Sequence, residues 1–199
     1  MDLELLREAT RNQMPDKRWQ HTLGVVRTAI ELAERFDGDV RKAELAALLH
    51  DYSKSWQTSR MEQIIREQRL PQELLDYDKE LWHAHVGAWA VQTEHGIADE
   101  EVLDAIRYHT SGREQMTHLD KIVCLADYME PGRDFPSVDR IRQLAESSLE
   151  QALIAGFDST ILLLLDRGRR IFPLTVSARN GLIQQLEAIQ LQESKANGG

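Results

Sequence analysis

The sequence predicts an all-α fold. Apolar residues recur at helical spacing along most of the chain, and no run of alternating β-branched residues predicts a strand. Proline and glycine signals divide the chain into segments of helical length. With 199 residues the chain is long enough for one domain with a sizeable core. We therefore expect a single domain, a helical bundle over residues 1–193, followed by a small, polar, disordered tail at 194–199.

Start and stop signals place the helices of the first half. The residue before a proline is driven out of helical geometry, Asp-Gly ends a helix, and an aspartate favours a helix start. The second helix is apolar on more than one side and is expected to be central, whereas the fourth is mostly solvated. The predicted segments are Leu3–Gln13, Asp16–Phe36, a helix from Asp39 into His50-Asp51, Ser55–Gln68 and a short helix from Pro71.

The same signals place the helices of the second half. Asp99 is expected to cap a helix that Ser111-Gly112 breaks, and Pro131-Gly132 follows an apolar helix. Amphipathic segments after Pro136 predict two or three C-terminal helices. The segments are Leu81–His95, Asp99–His109, Leu119–Met129, Val138–Leu149, Ala152–Leu165 and Val176–Leu191.

Composition favours a globular cytoplasmic protein. Hydrophobic residues make up 42% of the chain and charged residues 29%, and the longest aliphatic run, Ile161 to Leu165, is too short to span a membrane. The acidic N-terminus lacks the basic and apolar regions of a signal peptide. The single cysteine, Cys124, lies in an apolar run and is expected to be a core residue.

The formal net charge of −9 argues against nucleic acid as a partner, because binding to its backbone depends on clustered lysines and arginines. It leaves room for a small polyphosphate, because a metal centre with a few arginines can make one cleft locally positive. We therefore expect a small anionic partner, neither nucleic acid nor a membrane. The C-terminal helices could form the face of a homodimer or close over the cleft, and the sequence leaves both open.

The segment Leu48 to Lys54 is the first that points to chemistry. A buried helix rich in Ala and Leu ends there on His50 and Asp51. Burying a carboxylate is costly unless it is paired or binds a metal, so a metal ion, an arginine or a hydrogen bond from His50 must compensate Asp51. Chance alone gives about half of one His-Asp pair in a chain of this composition, so the pair decides nothing by itself.

Further segments place metal-binding residue types in apolar helices. Four histidines and two carboxylates of this kind can hold two divalent ions, with one carboxylate between them. Imidazole with carboxylate suits iron, manganese or zinc, and one cysteine excludes cysteine-type zinc sites. Taken singly, each histidine is more often a hydrogen-bonded core residue. The set is His21, His50, Asp51, His83, His109 and Asp127.

Two glycines interrupt good helices near these candidates. Gly24 and Gly87 each follow a candidate ligand by about one turn, and each costs its helix about 1 kcal/mol relative to alanine. Room for a ligand or close helix packing around the cluster would explain them. Ordinary helix crossing without a metal is the alternative.

The order of these residues along the chain resembles the HD-domain metallohydrolases, and more closely the YqeK group of bacterial symmetrical diadenosine-tetraphosphate hydrolases. Five motifs carry the resemblance between residues 17 and 136, and the C-terminal helices at 137–193 fit the group's length. The motifs are His21-Thr22-Leu23-Gly24-Val25, Leu49-His50-Asp51-Tyr52-Ser53-Lys54, Leu81-Trp82-His83-Ala84-His85-Val86-Gly87-Ala88, Ala105-Ile106-Arg107-Tyr108-His109-Thr110-Ser111-Gly112-Arg113 and Leu125-Ala126-Asp127-Tyr128-Met129-Glu130-Pro131-Gly132-Arg133.

The resemblance implies two metal ions. Iron is the expected metal, and manganese and zinc are the alternatives. One ion would be held by His21, His50, Asp51 and Asp127, and the other by His83, His109 and the bridging Asp51. His85 stands where the group has proline, which leaves open whether His83 or His85 is the ligand. The implied reaction is symmetrical cleavage of diadenosine tetraphosphate to two ADP, with a metal-bridging hydroxide as the attacking group.

Phosphate contacts are expected from basic and polar residues beside the ligands, because the chain has no glycine-rich phosphate loop. We favour Lys54 and Arg133 as catalytic residues with Asp51. Solvated surface charge is the alternative for each arginine. Tyr52, Trp82 and Tyr108 could stack on a base or lie in the core. The other candidate substrate contacts are Arg18, His85, Thr110, Ser111, Arg113 and Glu130.

Other functions remain open at this stage. An HD phosphohydrolase could act on nucleoside monophosphates or a guanosine alarmone, and a di-iron site could activate oxygen, although the expected phosphate contacts weigh against that. A helical signalling module without activity would carry no stoichiometric metal.

Overall fold

The structure, a computed structural model, describes residues 3–197. Within that range the protein is built of α-helices and two short 3₁₀ helices, Gln72–Asp76 and Lys79–Leu81, with no strand, which confirms the all-α prediction. The α-helices are α1 Leu3–Arg11, α2 Asp16–Arg35, α3 Val40–Leu49, α4 Thr58–Glu67, α5 Trp82–His95, α6 Glu100–Tyr108, α7 His118–Met129, α8 Val138–Leu144, α9 Leu149–Asp166 and α10 Pro173–Asn197.

The core forms around α2 and α7. Helix α2 packs on α3 and α7, and α6 joins α5 to α7. Side chains of α7 from Leu119 to Ala126 are buried without interruption, and Val25, Ala29 and Leu32 of α2 are also buried. A helix that is apolar on several sides belongs inside a bundle, as predicted for α2. Cys124 is a free, buried thiol of α7, as expected for a core residue.

The C-terminal helices form a second layer. Helix α9 packs against α7, α8 and α10. Helix α8 ends at Leu144, five residues before the predicted end, because Ser148 starts α9 by accepting a hydrogen bond from the N–H of Gln151 at 3.2 Å. Helix α10 begins earlier than predicted, at Pro173, since proline fits the first position of a helix.

The predicted disordered tail needs a correction. Helix α10 continues to Asn197, so residues 194–197 are helical. Residues 198 and 199 lie outside the described part of the chain. Residues 191 to 195, on both sides of the predicted start of the tail, are compatible with helix and extend α10 past its predicted end.

The segment after α3 is not a continuation of that helix. His50 is the C-terminal cap of α3, and turns follow, with the Lys54 N–H donating to the Asp51 carbonyl at 2.9 Å. Ser53 fastens the turn to α5 through a hydrogen bond to the His83 carbonyl at 2.9 Å. Lys54 therefore reaches the cluster from a turn, and not from a helical face shared with His50.

None of the helices within residues 3–197 has the length and apolar character needed to cross a membrane. The cytoplasmic location stays a prediction.

Candidate metal centre

Six candidate ligands meet at one end of the bundle, and five helices supply them, with His50 and Asp51 adjacent at the end of α3. His21 lies in α2 and His83 opens α5, while His50 and His109 are the C-terminal caps of α3 and α6. Asp51 follows His50, and Asp127 lies near the end of α7. Because helix ends carry unpaired backbone groups, polar side chains can gather there without breaking a helical core.

Asp51 lies at the centre of this cluster and faces two pairs of histidines. Its Oδ2 is 3.3 Å from His50 Nε2 and 3.5 Å from His21 Nε2. Its Oδ1 is 3.1 Å from His83 Nε2 and 4.0 Å from His109 Nε2. Each oxygen of a single buried carboxylate thus points to its own pair of imidazoles, which is the arrangement of a bridging ligand.

The remaining carboxylate extends one of the two halves. Asp127 Oδ1 is 3.1 Å from His21 Nε2, and one donor atom each of His21, His50 and Asp127 lie within 4.8 Å of one another. The same spacing joins His50, Asp51 and His109. His83 Nε2 lies 3.1 Å from His109 Nε2, so it completes the second half.

The donor atoms fit a metal ion better than a hydrogen-bonded core. His21 Nε2 and His50 Nε2 are buried and make no hydrogen bond within the described chain. Buried polar atoms are rarely left in this state. The Nδ1 atoms face acceptors: the Ala47 carbonyl at 2.6 Å from His50, the Ile106 carbonyl at 2.7 Å from His109, and Glu130 at 3.0 Å from His21. A proton on Nδ1 leaves the Nε2 lone pair directed into the cluster.

The electrostatics of the cluster keep both carboxylates ionised. Burial would lower the pKa of His50, but the neighbouring Asp51 carboxylate raises it above its ordinary value. Burial would raise the pKa of Asp51, but His50 and His83 hold that pKa well below its usual value. Burial likewise opposes ionisation of Asp127, and Arg133 and His21 hold the pKa of that carboxyl well below normal. Burial lowers the pKa of His109 to about 3. Ionised carboxylates beside a neutral imidazole are what a divalent cation requires.

Two arginines accompany the two carboxylates. Arg18 Nη1 donates to Asp51 Oδ2 at 2.9 Å, and Arg133 forms an ion pair with the Asp127 carboxylate while its Nε donates to the Asp127 carbonyl at 2.7 Å. Lys54 Nζ donates to Glu80 at 2.7 Å and lies 3.4 Å from His83 Nδ1. These three cations therefore lie at the edge of the cluster.

Glu130 positions His21 through the Nδ1 atom of the imidazole. It is 4% exposed, and it accepts hydrogen bonds from His21 Nδ1 at 3.0 Å and from the Gly132 N–H at 2.6 Å. A Cβ atom at Gly24 would lie 2.5 Å from Glu130 Oε2, so only glycine leaves room for this carboxylate. Carboxylates in this position orient metal-binding histidines. This contact supports the explanation that Gly24 leaves room for a group of the candidate site.

The surroundings of Gly87 give less reason for a glycine at that position. A Cβ atom there would lie 3.5 Å from Ser53 Oγ, which is ordinary van der Waals contact. Gly87 reflects helix packing rather than room for a ligand.

Two predicted substrate contacts lie elsewhere. The Arg113 guanidinium donates to Asp120 through Nε and to Asp104 through Nη1, both at 2.7 Å, and lines neither cleft described below. Ser111 is buried and donates to the Gly112 carbonyl at 2.9 Å. Both residues stabilise the connection between α6 and α7, so we correct their assignment to a structural role.

The choice between His83 and His85 follows from the direction of their side chains. Two residues apart on α5, they point to different sides of the helix. His83 faces Asp51, whereas the His85 ring packs edge-on against Tyr108 with 5.9 Å between centroids. Burial lowers the pKa of His85 to about 4, and its Nδ1 makes no hydrogen bond within the described chain. We correct the assignment of His85 as a substrate contact.

The proposed aromatic platforms are not in the clefts. Tyr52 is buried and donates to Glu94 at 2.9 Å, and the buried Trp82 donates to the Leu74 carbonyl at 2.8 Å. Tyr108 packs on His85. The core alternative therefore holds for Tyr52 and Trp82.

Two clefts open on the cluster. The first, about 860 Å³, reaches Asp51, His83, His109 and Asp127 and extends past Thr110. The second, about 780 Å³, reaches His21 and Glu130. Their shared wall consists of Arg18, Lys54, Glu80, Gly132 and Arg133.

Sequence reasoning missed the part of the first cleft that α9 supplies. Leu162 and Leu163 line it and are 60% and 46% exposed. The signal was the aliphatic run from Ile161 to Leu165, which covers more than one face of its helix and so cannot be buried entirely.

Comparison with known proteins gives the family. The HD domain model matches residues 18–132. The protein named bis(5'-nucleosyl)-tetraphosphatase, symmetrical, from Bacillus subtilis (strain 168) is 49% identical over 183 residues, covering 92% of this chain and 98% of that protein. A relative of the same name from Staphylococcus aureus (strain NCTC 8325 / PS 47) is 42% identical, with coverage of 90% and 94%.

A solved structure agrees in fold. The crystal structure of a predicted HD superfamily hydrolase involved in NAD metabolism, from Clostridium acetobutylicum, superposes with a TM-score of 0.88 at 36% identity and covers 93% of this chain and 98% of that chain. The family model spans more than half of this chain, and the relatives align over most of its length. The chain therefore belongs to the HD-domain family, in the group of the symmetrical bis(5'-nucleosyl)-tetraphosphatases.

Proposed function

We propose that this chain hydrolyses diadenosine tetraphosphate symmetrically and releases two molecules of ADP. The observation that carries the proposal is Asp51, whose two oxygens face separate pairs of histidines at 3.1–4.0 Å. The name shared by the relatives at 49% and 42% identity supports the choice of substrate.

Two divalent cations would fit the cluster. One cation would be held by His21, His50 and Asp127, and the other by His83 and His109. Both would be held by Asp51. We propose iron as the metal, with manganese or zinc as alternatives. When bound, such a pair supplies an activated water and polarises phosphoryl oxygens.

The chain's own cations complete the site. Lys54, Arg18 and Arg133 line both clefts beside the cluster, where they would bind non-bridging phosphate oxygens and balance the charge that develops on them. Thr110, 3.1 Å from His109 Nε2, lines the first cleft and would contact the same phosphates. Glu130, predicted as a substrate contact, lines the second cleft but is buried against His21, so we propose that it orients His21.

The reaction breaks one P–O bond of the substrate and one O–H bond of water, whose proton is released to the solvent. A water oxygen attacks an inner phosphorus, the bond from that phosphorus to the central bridging oxygen breaks, and the bridging oxygen leaves on the second ADP. Asp51 and Asp127 stay ionised at neutral pH and serve as ligands, and Arg133 neutralises the leaving phosphate.

Product analysis tests this proposal. Purified protein supplied with manganese should convert diadenosine tetraphosphate to ADP alone. An Asp51→Ala variant should lose bound metal and activity, whereas Asp139→Asn, which changes a carboxylate that is 92% exposed, should keep both. Release of ATP with AMP, or full activity after thorough chelation, would contradict the proposal.

The same assay separates the other functions. Nucleoside monophosphates and a guanosine alarmone belong in the substrate panel, and preferential turnover of either would replace the proposal. Oxygen consumption without phosphate-ester cleavage would indicate oxidative chemistry, and absence of stoichiometric metal would indicate a non-catalytic module.

A further inference from the structure

The two clefts that meet at the candidate metal centre differ in chemistry. We call the first the apolar cleft, since Phe135, Pro136, Leu162 and Leu163 line it. We call the second the basic cleft, because Lys17 and Arg27 line it in addition to the basic residues of the shared wall. A substrate with two identical halves would therefore meet two different surfaces.

The apolar cleft suits a nucleobase. Leu162 and Leu163 stay 60% and 46% exposed on its wall, and a flat purine would cover them. Asp134 and Asp166 line the same cleft. They repel phosphates but accept hydrogen bonds from a base amino group or a ribose hydroxyl.

The basic cleft suits phosphates and offers little to a base. The side chains of Lys17 and Arg27 are exposed and make no salt bridge or hydrogen bond with the described part of the chain, in contrast to the doubly paired Arg113. Apart from Pro15 and Pro131, no apolar side chain lines this cleft among the described residues. Lys17 and Arg27 are separated by ten residues of α2, about 15 Å along the helix axis.

We propose that the enzyme recognises only one nucleoside of its substrate: one base and its ribose occupy the apolar cleft, while the basic cleft holds the other half through its phosphates. This inference rests on the proposed function. Cleavage is still symmetrical, because the shared wall fixes the reacting phosphorus relative to the recognised nucleoside. The second nucleoside is then dispensable.

Two substrates test the inference. Adenosine 5'-tetraphosphate should react with water to give ADP and pyrophosphate, with kcat/KM within about tenfold of that for diadenosine tetraphosphate, since both keep the recognised nucleoside. A mixed dinucleotide with adenosine at one end and uridine at the other should give ADP and UDP with a similar kcat/KM.

Matched variants assign the clefts. Leu163→Ser should raise KM for both substrates about tenfold through lost apolar contact, whereas Leu165→Ser, on the same helix but outside the cleft, should not. Arg27→Ala should raise KM for both substrates and reduce its dependence on salt, whereas Arg41→Ala should do neither.

The outcomes are distinct. Cleavage of diadenosine tetraphosphate together with rejection of adenosine 5'-tetraphosphate and of the mixed dinucleotide would overturn recognition of a single nucleoside and leave the proposed function intact. Unchanged KM in both Leu163→Ser and Arg27→Ala would overturn the assignment of the clefts. Failure to cleave any of the three substrates would overturn the proposed function and the inference with it.

Discussion

At the scale of single residues, the candidate centre depends on histidines that are oriented by neighbouring groups, and these groups would not themselves contact a metal ion. His21 is held by Glu130 at 3.0 Å, and Glu130 has room only because position 24 is glycine. His50 and His109 are held by backbone carbonyls one turn earlier. Such partners direct a ligand nitrogen before any ion arrives.

Gly24→Ala should weaken metal binding, because the new methyl group would displace the Glu130 carboxylate from His21. We expect manganese affinity to fall about 10–100-fold, as for loss of a partner that orients a ligand. Calorimetric titration with manganese alone measures the change. Gly87→Ala is the matched control and should bind as wild type, since its added methyl group makes only an ordinary contact; equal effects of the two substitutions would refute the role of Glu130.

The six candidate ligands could be predicted because each is a polar residue in an apolar helical setting. The choice of His83 over His85 could not, since both lie at the start of the same helix and only the packing of α5 decides which one faces Asp51. Arg113 was misassigned because its partners, Asp104 and Asp120, approach it only in the folded chain.

At the scale of helices, the C-terminal layer is fastened to the core by specific contacts. Lys121 of α7 donates to Glu150 of α9 at 2.7 Å, and α10 passes so close to the loop before α7 that a Cβ atom at Gly181 would lie 2.0 Å from the Glu114 carbonyl oxygen. These contacts keep α9 in place as a wall of the apolar cleft.

Gly181→Ala should destabilise the protein by about 1–3 kcal/mol, because a backbone carbonyl cannot give way to the added methyl group and the strain outweighs a gain in helix propensity of about 1 kcal/mol. Urea unfolding measures the difference. Asn180→Ala, an exposed neighbour, serves as the control and should leave stability nearly unchanged. Equal or higher stability of Gly181→Ala would show that α10 packs less closely.

Lys121→Met should destabilise the protein by about 1–3 kcal/mol at pH 7, because it leaves the partly buried Glu150 carboxylate unpaired. Burial opposes ionisation of Glu150, but Lys121 lowers its pKa below the ordinary 4.5. A lowered folded-state pKa stabilises the protein above pH 4.5, and that contribution is lost as pH falls through the folded value. The difference from wild type should therefore shrink at pH 4 and below, and a difference independent of pH would count against this pair.

The existence of the helices could be predicted from periodicity and end signals, whereas two of the boundaries could not. Ser148 ends the predicted eighth α-helix early by capping the next one, and the turn after His50 forms because Ser53 bonds to α5. Both events depend on competing hydrogen bonds that periodicity does not report.

At the scale of the whole molecule, an acidic chain of net charge −9 presents basic groups where its proposed substrate would bind. The bundle gathers the ends of α3, α6 and α7 with the N-terminal parts of α2 and α5. Helix α9 adds an apolar wall that the five HD motifs do not include. Family motifs thus predicted the cluster but not the shape of the clefts around it.

The central claim is that Asp51 joins two cation sites. Titration of metal-free protein with manganese tests it most directly, with the number of ions bound per chain as the result. We predict two ions for wild type, weakened binding of both in Asp51→Ala, and loss of one in Asp127→Ala, since Asp127 belongs to one half of the cluster. A single ion in wild type, or two tightly bound ions in Asp51→Ala, would contradict the account.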